Sequence, residues 1–170
     1  EPQLLSVPEA LSDHVIVAGY GRVGQVIVNI LLNRGYRVLV IENSEAAIQK
    51  LRNRRIPYIY GDADAEQVLD KTHLSRAKAL AIALPDPAST RLLLQRALMR
   101  SPRLDVIARS HTDREIDLLA QMGAREVVQP EFEAAMELGA HLLRTLGEDT
   151  NGIQQVLSNI RHDRYQSVRS

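Results

Sequence analysis

His14-Val15-Ile16-Val17-Ala18-Gly19-Tyr20-Gly21-Arg22-Val23-Gly24 is a β-branched run that breaks at a G-x-G-x-x-G turn and passes at once into residues of helical period. In that context each glycine has a separate task. Gly19 permits the tight turn, Gly21 lets the backbone approach a phosphate, and Gly24 lets the helix lie close to the strand. The free N–H groups of the helix terminus then face an anion along a favourable dipole, and Arg22 adds a cation beside them. The stretch predicts a nucleotide site on Gly19, Tyr20, Gly21, Arg22, Val23 and Gly24.

The same alternation continues down the chain. Six short runs, His14–Ala18, Arg37–Ile41, Tyr58–Tyr60, Ala79–Leu84, Asp105–Arg109 and Glu126–Val128, are each followed by a turn and a segment of helical period. This is the pattern of a parallel sheet covered by helices on both faces. Right-handed crossovers joining the strands in this order predict an α/β fold, a doubly wound Rossmann sheet of order 3-2-1-4-5-6. Val23, Val26, Ile27, Ile30 and Leu31 mark the first helix, closed by Arg34-Gly35. Asp64-Ala65-Glu66-Gln67 and Thr112-Asp113-Arg114-Glu115 have capping-box spacing, and Pro87 after Asp86 suits a first helical turn. The pattern closes with Glu131–Leu146 before Gly147. Beyond it Ile153, Val156, Leu157 and Ile160 form an apolar stripe, which either packs back on the domain or meets a partner. The chain divides into a linker at 1–12, a Rossmann nucleotide-binding domain at 13–147 and a short C-terminal helical extension at 148–170.

With 170 residues and 45% hydrophobic content, the chain can bury one sizeable core but not two. Lys+Arg and Asp+Glu are both 21, so no bulk field draws in nucleic acid, and no nucleic-acid partner is expected. The absence of cysteine removes disulfides, zinc–thiolate sites and a thiol nucleophile, and leaves redox sensing to a bound ligand. His14, His73, His111, His141 and His162 are scattered without metal-binding spacing, so no metal site is expected. The longest apolar stretches, Val15–Ala18 and Ala79–Leu84, fall far below the ~18 residues that span a bilayer. The polypeptide itself is therefore expected to be soluble. Glu1–Pro8 lacks the regions of a signal peptide, and a start at Glu1 reads as a piece of something longer.

Glu42, with Asn43 beside it, ends the second strand at the spacing where a carboxylate accepts hydrogen bonds from ribose hydroxyls. Its charge repels a 2′-phosphate and no arginine follows, which favours NAD or an adenine nucleotide over NADP. Gly61-Asp62-Ala63 after the third strand and Leu84-Pro85-Asp86 after the fourth lie at the same carboxyl edge. Asp62 reads either as a contact to the adenine edge or as a turn residue. Leu84-Pro85 reads as an apolar wall. Arg109 closes the fifth strand, either reaching a phosphate or carboxylate ligand or pairing with Glu131 or Asp86. A dehydrogenase needs a proton donor and a substrate pocket besides. No Y-x-x-x-K or G-x-S-x-G occurs, and Lys50, Lys71 and Lys78 fall in surface helices or turns. No residue is assigned to catalysis, and the chain reads as a ligand-binding module rather than an enzyme. A fragment of an NAD-dependent oxidoreductase is the alternative, and a dimerisation scaffold with a vestigial site is a third reading.

The run from His14 to Gly24, Gly61-Asp62-Ala63, Val106-Ile107-Ala108-Arg109 and Gly123-Ala124-Arg125-Glu126-Val127-Val128-Gln129-Pro130-Glu131 occur in order. Together they resemble the RCK domain, also called the KTN or TrkA-N domain, over about Asp13 to Gly147. The resemblance is greatest to the cytoplasmic C-terminal domain of Kef-type monovalent cation/proton antiporters. It implies a ligand-sensing regulatory domain of a potassium (monovalent cation)/proton antiporter or potassium transport system. Such a domain sits on the cytoplasmic face of the inner (plasma) membrane, attached to a membrane-embedded transporter portion of the same protein. It forms a homodimer and binds NAD(H) or AMP, with ATP and ADP as alternatives, to adjust ion flux. The resemblance implies phosphates at Gly19–Gly24, ribose at Glu42, adenine near Asp62 and Ala63, and a second contact at Arg109. It also implies that Ile153–Ile160 serves a partner-exchanging segment. The chain departs from the family in carrying Glu42 where Kef-type relatives usually have Asp, and in lacking the second small lobe of channel-associated members.

Overall fold

The computed structural model describes Val7 and residues 10–166, so most of the expected linker and the last four residues of the extension lie outside the described residues. The element order is β1 (Val15–Ala18), α1 (Arg22–Asn33), β2 (Val38–Glu42), α2 (Glu45–Asn53), β3 (Tyr58–Tyr60), α3 (Glu66–Leu69), a 3₁₀ turn (Leu74–Arg76) and β4 (Ala79–Ile82). There follow α4 (Pro87–Arg100), β5 (Asp105–Arg109), α5 (Asp113–Gln121), β6 (Glu126–Val128), α6 (Pro130–Thr145) and α7 (Thr150–Arg164). The strands form one sheet of order β3-β2-β1-β4-β5-β6 with every pair parallel, the doubly wound topology expected.

Alternation along the central strands assigns side chains to two separate cores. Ile16, Ala18, Leu39, Ile41, Leu80 and Ile82 face Leu93, Leu94 and Ala97 of α4 and Ile116 and Leu119 of α5. Val15, Val17, Val38, Val40 and Tyr58 face Val28 of α1 and Ile48 and Leu51 of α2. Each fully buried aliphatic side chain contributes about 1.5–3 kcal/mol relative to exposure. The two-sided burial therefore holds β1 and β2, and the turn that β1 carries, in place. Leu11, in the segment expected to be linker, is itself buried in the first core.

Local differences from expectation have local causes. His14 and Arg37 stand one residue outside β1 and β2, because pairing begins at Val15↔Val38. Glu42 ends β2 as expected and pairs with Tyr60. β4 stops at Ile82, and Ala83 and Leu84 turn out toward the site. The Thr112 hydroxyl caps α5 through the Glu115 N–H. Asp64, in contrast, does not cap α3: the N-cap is Ala65, whose N–H donates to the Asp62 carbonyl, while the Asp64 carbonyl accepts from Arg96.

The stripe on α7 divides between the two alternatives. Ile153 is buried and Leu157 half-buried, whereas Val156 and Ile160 remain exposed. The helix is fastened by Tyr165, whose hydroxyl accepts from the Gln129 N–H at 3.1 Å and donates to Glu133 Oε1 at 3.0 Å. Arg161 pairs with Glu133 at 2.8 Å, and Phe132 meets the Tyr165 ring edge-on. Among the described residues no helix is long and apolar enough to cross a membrane.

Candidate functional site

The carboxyl edge of the sheet opens into a cleft of about 960 Å³, at the top of the range for small-molecule sites. It lies across β1, where the strand order reverses and doubly wound folds place ligands. Glycine 19, with φ +102°, sits in the left-handed region, and an added Cβ would lie 2.7 Å from the Ala83 carbonyl oxygen. At Gly24 an added Cβ would lie 2.0 Å from the Gly19 carbonyl oxygen, so α1 can rest on the turn only with glycine there. Gly21 differs: nothing lies within 4 Å of its added Cβ, which would project into open space at the helix entrance.

Helices α1, α2, α4 and α6 all begin at this edge, but their N-termini are not equivalent. The Ser44 hydroxyl accepts from the Ala47 N–H and caps α2; Asp86 accepts from the Ala88 and Ser89 N–H groups and caps α4. The Ser89 hydroxyl, first, and these amides hold the Asp86 carboxyl below its ordinary pKa. Helix α6 carries Glu131 and Glu133 in its first turn. Helix α1 has neither a side-chain cap nor an acidic residue in its first turn. It therefore presents uncompensated N–H donors and the positive end of its dipole to the cleft, with Arg22 alongside.

Opposite this terminus, Glu42 is fixed by three backbone donors. Its Oε2 accepts from the Tyr20 N–H at 2.6 Å, and its Oε1 accepts from the Asn43 and Ser44 N–H groups at 3.0 and 3.1 Å. A carboxylate offers about four acceptor positions, so capacity remains for hydroxyl groups of a ligand. Asn43 Nδ2 donates to Asp62 Oδ1 at 2.8 Å, joining the ends of β2 and β3. Asp62 also accepts the Ala65 N–H with its carbonyl, so the turn role is present.

The cleft brings together Gly19, Gly21, Arg22, Val23, Glu42, Asn43, Gly61, Asp62, Ala63, Leu84, Pro85 and Arg109, as well as the backbone of Tyr20. The Tyr20 side chain is not available there: it is buried in the second core and its hydroxyl accepts from Arg54 at 2.7 Å. Gly24 lies beneath the turn rather than on the cleft wall. Arg109 pairs with Glu131 at 3.3 Å, and its Nε is buried without a partner. Several lining residues escaped the sequence reading: Gln25, Ser44, Ala47, Lys50, Ser89 and Ala134. Lys50, exposed in α2 as a surface-helix residue, follows the N-cap Ser44 and Ala47 at intervals of three, which brings it to the cleft. Ser44 ahead of Glu45-Ala46-Ala47 was the available signal, an N-cap at the ligand edge. Among the described residues no cluster of three His, Cys, Asp or Glu could hold a metal ion.

The geometry agrees with relatives found by comparison. The inner membrane protein YbaL of Escherichia coli is 32% identical over 129 residues, which are 76% of this chain and 23% of YbaL. KefB of Alkalimonas amylolytica, which carries the name of a K+ efflux antiporter, is 30% identical over 159 residues, 94% of this chain and 24% of KefB. The chain thus spans about a quarter of the length of either relative. The Kef C-terminal domain of Shewanella denitrificans, solved in an AMP-bound form, superposes with a TM-score of 0.80 at 26% identity, covering 91% of this chain and 95% of that one. The model of the TrkA-N domain matches residues 15–130, and the chain belongs to the TrkA-N family.

Proposed function

We propose that this chain is the cytoplasmic ligand-sensing domain of a monovalent cation/proton antiporter and that it regulates ion flux by binding an adenine nucleotide, AMP or NAD(H). The observation that carries the reading is the contrast among helix N-termini. Only α1, of the four at the cleft, lacks both a side-chain cap and a first-turn or N-cap carboxylate. Anionic oxygens satisfy such a terminus. The AMP-bound state of the Shewanella denitrificans domain supports the choice of ligand.

In this reading the phosphate lies against the N–H groups at Gly21, Arg22 and Val23, and the ribose hydroxyls donate to Glu42. Asp62 and Ala63 flank the base, Asn43 steadies Asp62, and Leu84-Pro85 forms the apolar wall. Arg109 is drawn from Glu131 to a ligand reaching the β5 side. Residues 13–147 carry the nucleotide-binding domain and 148–170 the extension, with 1–12 a linker whose Leu11 packs into the first core. Leu138 and Leu142 of α6 and its C-cap Leu146 recur at intervals of four and are 69%, 61% and 74% exposed. With Val156 and Ile160 they supply the face through which two copies pair. No cleft residue is given a catalytic role. Regulation follows if the nucleotide binds two conformations of the transporter with different affinity, since equal binding shifts nothing.

Isothermal titration with AMP, NADH, ATP and NADPH, repeated on Glu42→Ala, tests the reading. Saturable binding of AMP or NADH, weakened by Glu42→Ala, is the expected result; NADPH should bind least. Heat from none of the four would overturn it.

A further inference from the structure

The zero net charge conceals an asymmetry. At the amino edge of the sheet, opposite the cleft, Arg34, Tyr36 and Arg37 precede β2, Arg55 precedes β3, and Lys78 precedes β4. The backbone draws these segments together: the Val15 N–H donates to the Arg37 carbonyl, and the Lys78 N–H donates to the His14 carbonyl. Lys78 Nζ lies 6.0 Å from the centre of the Tyr36 ring. Asp70 and Asp105, nearby acids, are taken by Arg100 and Arg125. Asp13 remains, while Arg34, Arg37, Arg55 and Lys78 are exposed and have no carboxylate partner among the described residues. Apolar groups stand among these cations: Tyr36 is 46% exposed, Leu32 38% and Ile30 58%, all at the end of α1.

We infer that this edge is a docking surface for an anionic lipid bilayer, with Arg34, Arg37, Arg55 and Lys78 against phosphate headgroups and Tyr36 and Leu32 at the interface. Cations interleaved with aromatic and aliphatic side chains fit the boundary between headgroups and acyl chains. A patch of four cations binds weakly from free solution, about 600-fold above an uncharged face, which co-sedimentation at high lipid concentration detects. The inference rests on the reading of this chain as part of a membrane transporter, because covalent attachment would raise the local concentration enough for so small a patch to act. Docked this way, the domain turns its nucleotide cleft away from the bilayer.

The test is co-sedimentation of the chain with phosphatidylcholine vesicles that contain or lack phosphatidylglycerol, at low and high salt. Each lysine or arginine near an anionic surface strengthens binding about fivefold. Arg37→Gln/Lys78→Gln should therefore weaken binding to anionic vesicles about 25-fold. Arg114→Gln/Arg144→Gln, with the same change in net charge on α5 and α6, should leave it near wild type. High salt should release the protein. Equal binding to neutral vesicles, equal loss in both double variants, or binding to duplex DNA but not to vesicles would overturn the inference. AMP titration of the same preparations separates the two claims. Vesicle binding without AMP binding would sink the sensor reading alone, and AMP binding without vesicle binding would sink the docking surface alone.

Discussion

Gly21→Ala and Gly24→Ala should act on different properties of the molecule, although they stand only three positions apart. At Gly24 the new methyl would meet the Gly19 carbonyl oxygen at 2.0 Å. Both atoms belong to the strand–turn–helix backbone, so relief requires lifting α1 from β1 and disturbing the packing of Val28, which is fully buried. Overpacking of this kind costs about 1–3 kcal/mol or more, and each kcal/mol lowers Tm by about 2–4 °C in a chain of this size. At Gly21 the methyl meets nothing within 4 Å, and the backbone φ of −78° suits alanine. Stability should fall by no more than the modest N-cap preference of glycine over alanine, below about 1 kcal/mol. The methyl would instead occupy the approach to the α1 N–H groups. Loss of one charge-assisted hydrogen bond, worth about 1.5–3 kcal/mol, corresponds to roughly 10- to 150-fold weaker AMP binding. Thermal denaturation and AMP titration of both variants measure the two effects. Undiminished AMP affinity in Gly21→Ala, or a Gly24→Ala protein as stable as the parent, would refute the reasoning.

Three further expectations follow from other parts of the structure. His14 is fully buried, with Nε2 against the Thr72 carbonyl at 2.8 Å, and burial, first, lowers its pKa below 6.5. A depressed pKa means that the unfolded chain takes up a proton before the folded one; this contribution to stability is complete above pH 6.5 and is lost as pH falls toward the folded value. Denaturation midpoints should drop over that interval at no more than about 1.4 kcal/mol per pH unit, and His14→Gln should remove this part of the slope. Tyr165→Phe would strand the Gln129 N–H and should cost about 1–3 kcal/mol, with faster proteolysis at residues 146–149 as α7 loosens; unchanged cleavage would show that α7 is held elsewhere. Leu142→Glu should convert a dimer to a monomer in sedimentation while leaving AMP affinity unchanged, and a persisting dimer would place the interface on another face.

The sheet order was legible because β-branched runs and helical segments alternate, and right-handed crossovers leave little choice of topology. The glycine turn was legible because its tasks are local. Features set by distant neighbours were harder to read. Glu42 suits a ribose by its spacing, but only the folded chain shows it gathering the N–H groups of Tyr20, Asn43 and Ser44. Tyr20 belongs to the turn in sequence, while its side chain points into the core beneath, because the chain reverses between Gly19 and Arg22. Arg109 offered several partners by position, and Glu131 is the one brought within 3.3 Å when Pro130 starts α6 beside β5. Asp64 had capping-box spacing, yet the Asp62 carbonyl takes the Ala65 N–H and α3 begins one residue later. Side chain and backbone compete for the same donors at a helix start, and spacing alone does not rank them.

The most direct test of the central claim is amide NMR of this chain during titration with AMP. Shifts should concentrate on Tyr20 to Val23, Asn43, Ser44, Asp62 and Ala63, and the amides at Arg34 to Arg37 should stay in place. Saturating AMP that moves no amide in the cleft, or moves only those of α6 and α7, would contradict the assignment of the nucleotide site.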